Sequence, residues 1–436
     1  MEYRQSIKYI ESLPTPEAWG IENCAELAKR AGIRFGYEII HVAGTNGKGS
    51  VCADLASILC KAGYKTGMHT SPHLQKYNER IKINGKDITD LEFAHMIEKI
   101  APHVEKMRKA GRCPSVFEAL TIAAFAYFSD RKIEVLVLET GMGGSLDATN
   151  IAPSRLQVIT SISMDHMENL GNSIGKIASE KAGIIKRGSD VVCAGGKKRA
   201  ISVIERRCKE MGARLHLQGS DFEISNGSVF EKGGIFDYRE GAFSLKRLKT
   251  PLVGMHQLEN AALAVASALA LRKRGWEIPN SAIIGGLKNT KWPGRLEIMP
   301  GKPKILLDGA HNLDGMAKLK NALEGIFLKR RGKLVLVIGI MADKEYGKMI
   351  KLISPLADGI VFTRTKNDRS AKPEELAKSL GKNPGGKENR ATGGNIKIEP
   401  DLLAAIAYAS RDAGRDGMVL ITGSLYLVGE ARKLLA

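Results

Sequence analysis

The sequence lacks any run of eighteen or more apolar residues, only 6% of it is aromatic, and it has six cysteines in 436 residues. Without a long apolar run it predicts no membrane-spanning helix. Its opening, MEYRQSIKYIESLP, is typical of an amphipathic helix, not of a secretory signal. The cysteines are scattered without metal-ligand spacing, which predicts neither a zinc site nor a disulfide framework. We therefore expect a cytoplasmic protein.

Acidic residues are also scarce: 47 Asp+Glu stand against 66 Lys+Arg, a formal net charge of +19. Such a charge favours a polyanionic partner, and nucleic acid, an acidic membrane and phosphate or polycarboxylate ligands all qualify. The basic segments lack the interleaved aromatic residues that stack on bases. Charge alone does not choose among these partners.

Runs rich in Val, Ile and Leu alternate with helical patterns, which predicts an α/β fold with parallel sheets covered by helices on both faces. The predicted strands are 38–42, 65–69, 133–139, 156–161 and 190–194, and then 304–307, 333–338, 359–363 and 418–422. We place a domain boundary in NTKWPGR at 289–295. This gives a P-loop-type parallel-sheet ATPase domain over 1–294 and a smaller Rossmann-like α/β domain over 295–436.

Two segments interrupt this alternation. Short alternating runs cut by turn residues at 221–248 predict an antiparallel hairpin insert at the edge of the first domain. The glycine-rich stretch at 381–394 predicts a loop.

The strongest local motif is HVAGTNGKGS at 41–50, between a predicted strand and a predicted helix. Glycines let backbone amides approach phosphate oxygens, and a helix N-terminus adds a positive dipole. Lys48 can contact the β- and γ-phosphates, and Ser50 can bind Mg²⁺. The motif therefore predicts a nucleoside triphosphate site, although its spacing differs from the usual Walker A pattern because Gly49 separates the lysine from the hydroxyl residue.

Three further residues follow at the same predicted sheet edge or on the next helix. Glu139 ends the strand VLVLE, where a carboxylate can face the phosphates and hold a metal ion. His166 in SMDHMENLG is a candidate ligand for a second metal, although a lone histidine is more often structural. Lys181 in SEKAGIIK has the ordinary interpretation of an exposed helix lysine.

A series of motifs in the same order as in a known family resembles the folylpolyglutamate synthase/dihydrofolate synthase family of the Mur ligase superfamily. These motifs are HVAGTNGKGSV, TSPHL, NERI, FEALTIAAFAYF, GGSLDATN, DHMENLG, EKAGIIK, HQLENAALA, PGRLE, LDGAHN and TGSLYLVGE. The resemblance implies an ATP-dependent ligase that joins L-glutamate to a pteroate or folate carboxylate through an acyl phosphate. It also implies two Mg²⁺ ions, a monomer, and ADP and phosphate as products. The net charge is then compatible with small anionic substrates, and we expect neither nucleic acid nor a membrane as a partner.

The resemblance also assigns roles residue by residue. It implies that Ser50 and Glu139 bind one magnesium ion, that His166 binds the second, and that Lys181 is a carbamylated catalytic lysine. The implied nucleotide contacts are Thr45, Asn46, Gly47, Lys48, Gly49, Ser50, Asn260, Arg295 and Asp308. The implied substrate contacts are Ser71, Pro72, His73, Arg80, Phe117, Glu118, His311 and Ser424, with Asp308 and His311 also assigned to catalysis.

Three positions depart from the family pattern: Ser145 replaces a frequent arginine, and Leu313 and Asp368 each replace a proline. None of them is a residue that the motifs assign to phosphate or metal. Two alternatives to a folate ligase stay open. One is a Mur-type ligase that adds an amino acid to a different acceptor, and the other is a P-loop ATPase that acts on nucleic acid, which only the basic charge favours.

Overall fold

The structure, a computed structural model, describes residues 1–14, 20–328, 332–380 and 395–436, so the loop predicted at 381–394 lies outside it. The helices are α1 Tyr3–Glu11, α2 Glu22–Arg30, α3 Lys48–Lys61, α4 Asp90–Lys109, α5 Val116–Asp130, α6 Met167–Leu170, α7 Ile174–Ala182, α8 Lys198–Met211, α9 Met255–Lys273, α10 Asn280–Lys288, α11 Leu313–Ala322, α12 Tyr346–Ile353, α13 Pro373–Lys378, α14 Leu402–Ala413 and α15 Leu425–Leu435.

The strands, again in chain order, are β1 Glu38–Ala43, β2 Thr66–His69, β3 Ile81–Ile83, β4 Lys86–Asp87, β5 Val135–Glu139, β6 Leu156–Ile159, β7 Asp190–Cys193, β8 Arg214–Leu217, β9 Phe222–Phe230, β10 Gly233–Glu240, β11 Phe243–Thr250, β12 Glu297–Met299, β13 Lys304–Asp308, β14 Leu334–Ile338, β15 Gly359–Phe362, β16 Ile396–Ile398 and β17 Met418–Thr422.

The chain forms two compact units. The first contains Met1–Gly227, Ile235–Thr250 and Gln257–Thr290, and the second contains Ser228–Gly234, Pro251–His256 and Lys291–Ala436. The main segment of the second unit thus begins inside NTKWPGR. Within the described residues, none of the helices is long and apolar enough to cross a membrane.

The sheet of the first unit has the strand order β4-β3-β2-β5-β1-β6-β7-β8. The strands from β2 to β8 in that order run parallel, and β3 and β4 add an antiparallel edge. Strands β1 and β5 are buried over almost their whole length, because helices cover both faces of a parallel sheet. The carboxyl ends of β1, β5 and β6 therefore meet at one edge of the sheet.

A separate three-stranded sheet has the order β11-β10-β9. Two-residue connections join its strands, which is possible only between antiparallel neighbours. The predicted hairpin insert is therefore present, as a three-stranded sheet over Phe222–Thr250.

The sheet of the second unit has the strand order β12-β13-β17-β14-β15-β16. Strands β13 to β16 run parallel and β12 pairs with β13 in the antiparallel direction. Strand β17 lies near the centre of the sheet and is fully buried. Because it pairs with β13 in parallel, the carboxyl ends of the two strands lie at the same edge of the sheet. The predicted fold class is confirmed, apart from the antiparallel edge strands β3, β4 and β12.

Candidate functional site

The loop between β1 and α3 contains the residues predicted to bind phosphate. Gly47 is the N-cap of α3 with φ 90°, a left-handed conformation that glycine adopts without strain. At Gly44 a Cβ atom would lie 1.7 Å from Thr160 Oγ1, so only glycine fits there. Lys48, Gly49 and Ser50 form the first turn of α3, where unpaired amides and the helix dipole favour an anion.

Hydrogen bonds hold this loop against the segment that follows β6. The Thr45 amide donates to Ser161 O at 2.8 Å, and Thr45 Oγ1 accepts from the Ser163 amide at 3.1 Å. Thr160 Oγ1 donates to Asn46 O at 2.8 Å. The loop is therefore fixed by its own protein contacts, which lowers the ordering cost of binding a nucleotide.

Two lysines converge on the same loop carbonyl. Lys48 Nζ donates to Gly44 O at 3.2 Å and to Thr45 O at 3.3 Å. Lys181, on α7, donates from Nζ to Gly44 O at 2.8 Å. Lys181 is buried, and burial together with the nearby charge of Lys48 lowers its pKa to about 7. Near neutral pH a large fraction of this amine is therefore uncharged. Because Lys181 is buried, its ordinary interpretation as an exposed helix lysine is wrong.

The predicted ligands of the first metal ion are both buried. Ser50 lies in the first turn of α3, and Glu139 is the last residue of β5, beside β1 in the sheet. Glu139 Oε2 accepts from the Ser71 amide at 3.1 Å, which fixes one carboxylate oxygen. A hydroxyl and a carboxylate are oxygen donors of the kind that Mg²⁺ prefers.

His166, the predicted ligand of a second metal, is the N-cap of the short helix α6 with φ 48°. Such a conformation is uncommon for a residue other than glycine and is often found at functional sites. Its side chain is 37% exposed, and Nε2 lies 3.9 Å from Asp165 Oδ1. Within the described residues, no group of three or more His, Cys, Asp or Glu side chains is placed to hold a metal ion.

The GMGGSLDATN segment packs against α7, the helix that carries Lys181. At Gly144 a Cβ atom would lie 2.6 Å from Glu180 O. Ser145 donates to that same carbonyl from its amide at 2.9 Å and from Oγ at 3.1 Å. The serine that departs from the family pattern therefore bonds to the protein backbone.

Asp147, in the same segment, is a buried acidic residue near Lys181 that the sequence analysis did not predict. It is buried, and its carboxylate accepts from the amides of Met142 at 2.8 Å and Thr149 at 3.0 Å. Burial raises its pKa, and its charge favours the protonated form of Lys181. The glycine-rich motif marked this segment but did not indicate which of its residues is buried.

Asn260, a predicted nucleotide contact far along the chain on α9, lies beside the phosphate loop. A Cβ atom at Gly47 would be 2.5 Å from Asn260 Oδ1. Asn260 Nδ2 donates to Gln257 Oε1 at 2.9 Å, one turn earlier on the helix. The structure thus brings Asn260 to the loop that contains Lys48 and Ser50.

The predicted substrate residues near TSPHL form a connected group. Arg80 Nε donates to His73 Nδ1 at 2.9 Å, and the His73 ring contacts the Tyr77 ring in a tilted arrangement, with centroids 4.4 Å apart and an interplanar angle of 53°. Burial and the Arg80 charge lower the pKa of His73 to about 3, so this imidazole is neutral and accepts from the guanidinium. Ser71 joins the group to Glu139, and Pro72 follows it.

Phe117 and Glu118 lie in the first turn of α5 and make different kinds of contact. The Phe117 ring packs on Gly141, where a Cβ atom would be 2.6 Å from it. Glu118 Oε2 accepts from the Ser115 amide at 2.8 Å, and Ser115 Oγ accepts from the Glu118 amide. This is a capping box, so the described role of Glu118 is to begin the helix. Its predicted contact with substrate stays a prediction.

In the second unit, Asp308 ends β13 and holds the backbone around it. Its carboxylate accepts from the Leu296 amide at 3.0 Å and from the Ala310 amide at 2.9 Å. Burial raises the pKa of Asp308, while the charge of Arg295 opposes that rise. The Arg295 guanidinium lies on Gly309, where a Cβ atom would be 2.7 Å from Nη1.

His311 and Ser424 complete the predicted residues of this unit. His311 Nδ1 is 2.8 Å from Gly309 O, the same glycine that Arg295 contacts. Ser424 is the N-cap of α15, and its Oγ accepts from the Tyr426 amide at 3.2 Å. Arg295, Asp308 and His311 therefore meet at Gly309, whereas Ser424 lies at the end of the central strand β17 and serves a helix.

Comparison with known protein families identifies both units. Residues 42–268 match the Mur ligase middle domain. Residues 294–425 match the Mur ligase glutamate ligase domain.

Individual relatives match nearly the whole chain. The dihydrofolate synthase/folylpolyglutamate synthase of Bacillus subtilis is 37% identical over 399 residues, 91% of this chain and 90% of that protein. The structure is similar to Mycobacterium tuberculosis folylpolyglutamate synthase complexed with ADP and AMPPCP, with a TM-score of 0.90, 31% identity and coverage of 100% and 98% of the two chains. It is also similar to E. coli FolC in complex with DHPP and ADP, with a TM-score of 0.87, 29% identity and coverage of 100% and 97%.

Proposed function

Because the chain belongs to the folylpolyglutamate synthase/dihydrofolate synthase family of Mur ligases, we propose that it joins L-glutamate to a pteroate or folate carboxylate through an acyl phosphate. It is an ATP-dependent ligase that forms a C–N bond and releases ADP and phosphate. The resemblance noted in the sequence is thereby confirmed. Whether the enzyme makes dihydrofolate, lengthens glutamate chains or does both is the question that the experiment below addresses.

The observation that carries this proposal is the convergence of Lys48 and Lys181 on Gly44 O, in the loop that precedes α3. Phosphoryl transfer to a carboxylate concentrates negative charge on the transferred group and requires positioning and electrostatic stabilisation. Lys48 would leave the loop carbonyls to contact the β- and γ-phosphates. The amides of Gly49 and Ser50 would bind the same oxygens.

Magnesium fits the oxygen donors of Ser50 and Glu139. Because no larger cluster of ligating side chains occurs in the described chain, a metal ion here would take most of its ligands from phosphates and water, as Mg²⁺ usually does. When bound, it would neutralise charge on the β- and γ-phosphates. We assign His166 to a second magnesium site.

Lys181 is proposed to carry a carbamate. Only a neutral amine adds CO₂, and burial with the Lys48 charge brings the pKa of Lys181 to about 7. The addition forms one N–C bond between Nζ and CO₂, releases one proton and converts the amine into an anion. The carbamate oxygens would then be available to the second magnesium ion.

The remaining assignments follow the family resemblance, and that of Asn260 is also supported by its position. Asn260 is proposed as a nucleotide contact because it lies against Gly47. Arg295 and Asp308 are proposed as further nucleotide contacts, His311 and Ser424 as contacts of glutamate, and the Arg80, His73 and Phe117 group as the pterin site. We also propose a cytoplasmic monomer, and the six cysteines are all free, as in a reducing compartment.

The test is ADP release by the purified protein that depends on both glutamate and acceptor. We expect activity with 7,8-dihydropteroate, with tetrahydrofolate monoglutamate or with both, and product masses that increase by one glutamate residue per turnover. The ratio of kcat/KM for the two acceptors then ranks the two functions. The Lys48→Ala variant controls for contaminating ATPase. A lack of acceptor-dependent ADP release with both compounds, from protein that binds ATP, would exclude a folate acceptor.

A further inference from the structure

A polar cavity lies in the first unit, outside the ligase site. It has a volume of about 550 Å³, and its lining includes Asp190, Arg214, Lys273 and Arg274. Asp190 and Arg214 are the first residues of β7 and β8, and Lys273 is the last residue of α9. None of these residues belongs to the ligase site described above.

The register of the parallel strands places this cavity at the opposite edge of the sheet from the phosphate loop. Asp190 pairs with Leu156 and with Arg214, at the beginnings of their strands. The phosphate loop follows Ala43, which pairs with Ile159 at the other end of β6. The two sites are thus separated by the length of these strands, about 10 Å or more of extended chain.

Positive charge exceeds negative charge among the residues that line the cavity. Arg214 Nη1 lies 3.5 Å from Asp190 Oδ1, and Arg274 Nη1 lies 3.1 Å from Asp190 Oδ2. Lys273 Nζ lies 2.6 Å from Glu240 Oε1. Asp190 is thus shared between two guanidinium groups, and the side chain of Arg214 is 71% exposed and therefore accessible to a ligand.

Two glycines leave room for a ligand beside the backbone. Gly188 and Gly212 have positive φ angles, and a Cβ atom on either would meet no atom within 4 Å. The last carbonyls of α8 already accept hydrogen bonds: Met211 O accepts from the Gly188 amide and Cys208 O from the Ala213 amide. The negative end of that helix is therefore partly neutralised by its own chain.

From this arrangement we infer that the cavity binds a small anion that has two or more adjacent phosphate or carboxylate groups. Guanidinium groups bind both kinds of group through paired N–H donors, and Lys273 adds a point charge at the same opening. The volume accommodates a ligand the size of pyrophosphate or citrate. This site is independent of the proposed ligase function.

Calorimetric titration tests the inference on full-length protein saturated with a non-hydrolysable ATP analogue, which fills the phosphate loop. We expect pyrophosphate or citrate to bind at one additional site. Tighter binding of pyrophosphate would identify a phosphate ligand, and tighter binding of citrate a polycarboxylate ligand. Either result supports the anion site, and the absence of binding by both compounds would overturn it.

Charge-reversal variants separate a specific site from a general effect of the basic surface. Arg214→Glu is expected to weaken binding at least tenfold, because a charge-assisted contact becomes a repulsion. Arg239→Glu is the matched control, since Arg239 is also an exposed arginine paired with one carboxylate, that of Glu223, and lies outside the cavity. An equal loss in both variants would overturn the assignment, and circular dichroism would verify that both variants are folded.

Discussion

Lys48 and Lys181 donate to a single acceptor, the carbonyl oxygen of Gly44, although 132 residues separate them in the sequence (181 − 48 − 1). Two amines that share one carbonyl in a buried site cannot both keep their charge at low cost. Lys181 is the buried partner, and burial together with the Lys48 charge lowers its pKa to about 7. The amine of Lys181 therefore titrates near neutral pH, beside the lysine that begins α3.

Replacement of Lys48 tests the phosphate site. Lys48→Ala is expected to reduce kcat for ADP release by at least a hundredfold, because charge on the transferred phosphoryl group loses its main protein cation. Thermal unfolding should be nearly unchanged. Lys61→Ala, at the exposed opposite end of the same helix, is the matched control and should retain full activity. Ligation that persists in Lys48→Ala would refute the assignment.

Titration of Lys181 should control its reaction with CO₂. Below pH 7 the buried amine is mostly protonated and unreactive, and above pH 7 it is mostly neutral. After CO₂ is removed, we expect bicarbonate to restore activity, with a rate of recovery that rises between pH 6 and 8. Intact mass should increase by one CO₂ when the protein is measured under non-denaturing conditions.

Two variants on α7 provide the test and the control for that experiment. Lys181→Ala should lose turnover while it still binds ATP, whereas Lys176→Ala, an exposed lysine of α7, should behave like the wild type. A fully active, magnesium-loaded enzyme with an unmodified Lys181 would contradict the carbamate.

Gly47 and Asn260 should be coupled in nucleotide binding. In Gly47→Ala the new methyl group would meet Asn260 Oδ1 at 2.5 Å, and the φ of 90° adds strain of about 1–2 kcal/mol. We expect roughly tenfold weaker ATP binding, measured by calorimetry. The double variant Gly47→Ala/Asn260→Ala should lose less than the sum of the two single losses, because the clash is absent.

Gly63→Ala is the control for backbone strain alone. Gly63 has a φ of 97° just after the same helix, and a Cβ atom there meets nothing within 4 Å. Gly63→Ala should lower the free energy of unfolding by about 1–2 kcal/mol, the strain expected at a positive φ. It should leave ATP affinity unchanged. Additive losses in the Gly47/Asn260 cycle would show that the two residues do not interact.

Asp54 should make the stability of the protein depend on pH. It lies on α3 and is fully buried, and a side-chain hydrogen bond with Thr290 only partly offsets the effect of burial on its pKa. Burial raises its pKa from 3.8 to about 7. The folded chain therefore retains this proton at pH values where the unfolded chain has lost it, so Asp54 costs stability increasingly as pH rises from about 4 to 7.

Asp54→Asn removes that titration. Relative to the wild type, the variant should gain up to about 4 kcal/mol in free energy of unfolding above pH 7, and nothing near pH 4. Urea unfolding across this range measures the difference. Asp130→Asn replaces an exposed carboxylate paired with Lys99, and this control retains Asp54 and should follow the pH profile of the wild type. Parallel pH profiles of Asp54→Asn and the wild type would show that Asp54 has an ordinary pKa.

Central strands could be predicted from the sequence, and edge strands could not. Residues 418–422 are predicted and found as β17 with the same bounds, because a fully buried strand is a continuous apolar run. β8 is only partly buried, and β12 and β16 have three residues each, so their patterns are too short or too mixed. The antiparallel edge strands β3, β4 and β12 depend on pairing between different segments of the chain. The pattern of residues within one segment contains no information on that pairing.

The residues of the site also differ in whether the sequence alone could predict them. Lys48 and Ser50 follow from the physical chemistry of one contiguous motif, HVAGTNGKGS. Lys181 was identified only through the family resemblance, since a lysine on a helix contains no signal of its own burial. Asp147 was missed because its environment is made by backbone amides that the chain brings together only on folding.

The close approach of Gly44 to Thr160 has a consequence for how this enzyme can change. An alanine at position 44 would need the side chain at position 160 to be trimmed, and trimming it would remove the hydroxyl that donates to Asn46 O. No single substitution at position 44 can therefore enlarge it and keep the loop intact. Sterically, the two positions are constrained as a pair, and directed evolution of the acceptor range should leave both unchanged and vary the pterin-side residues instead.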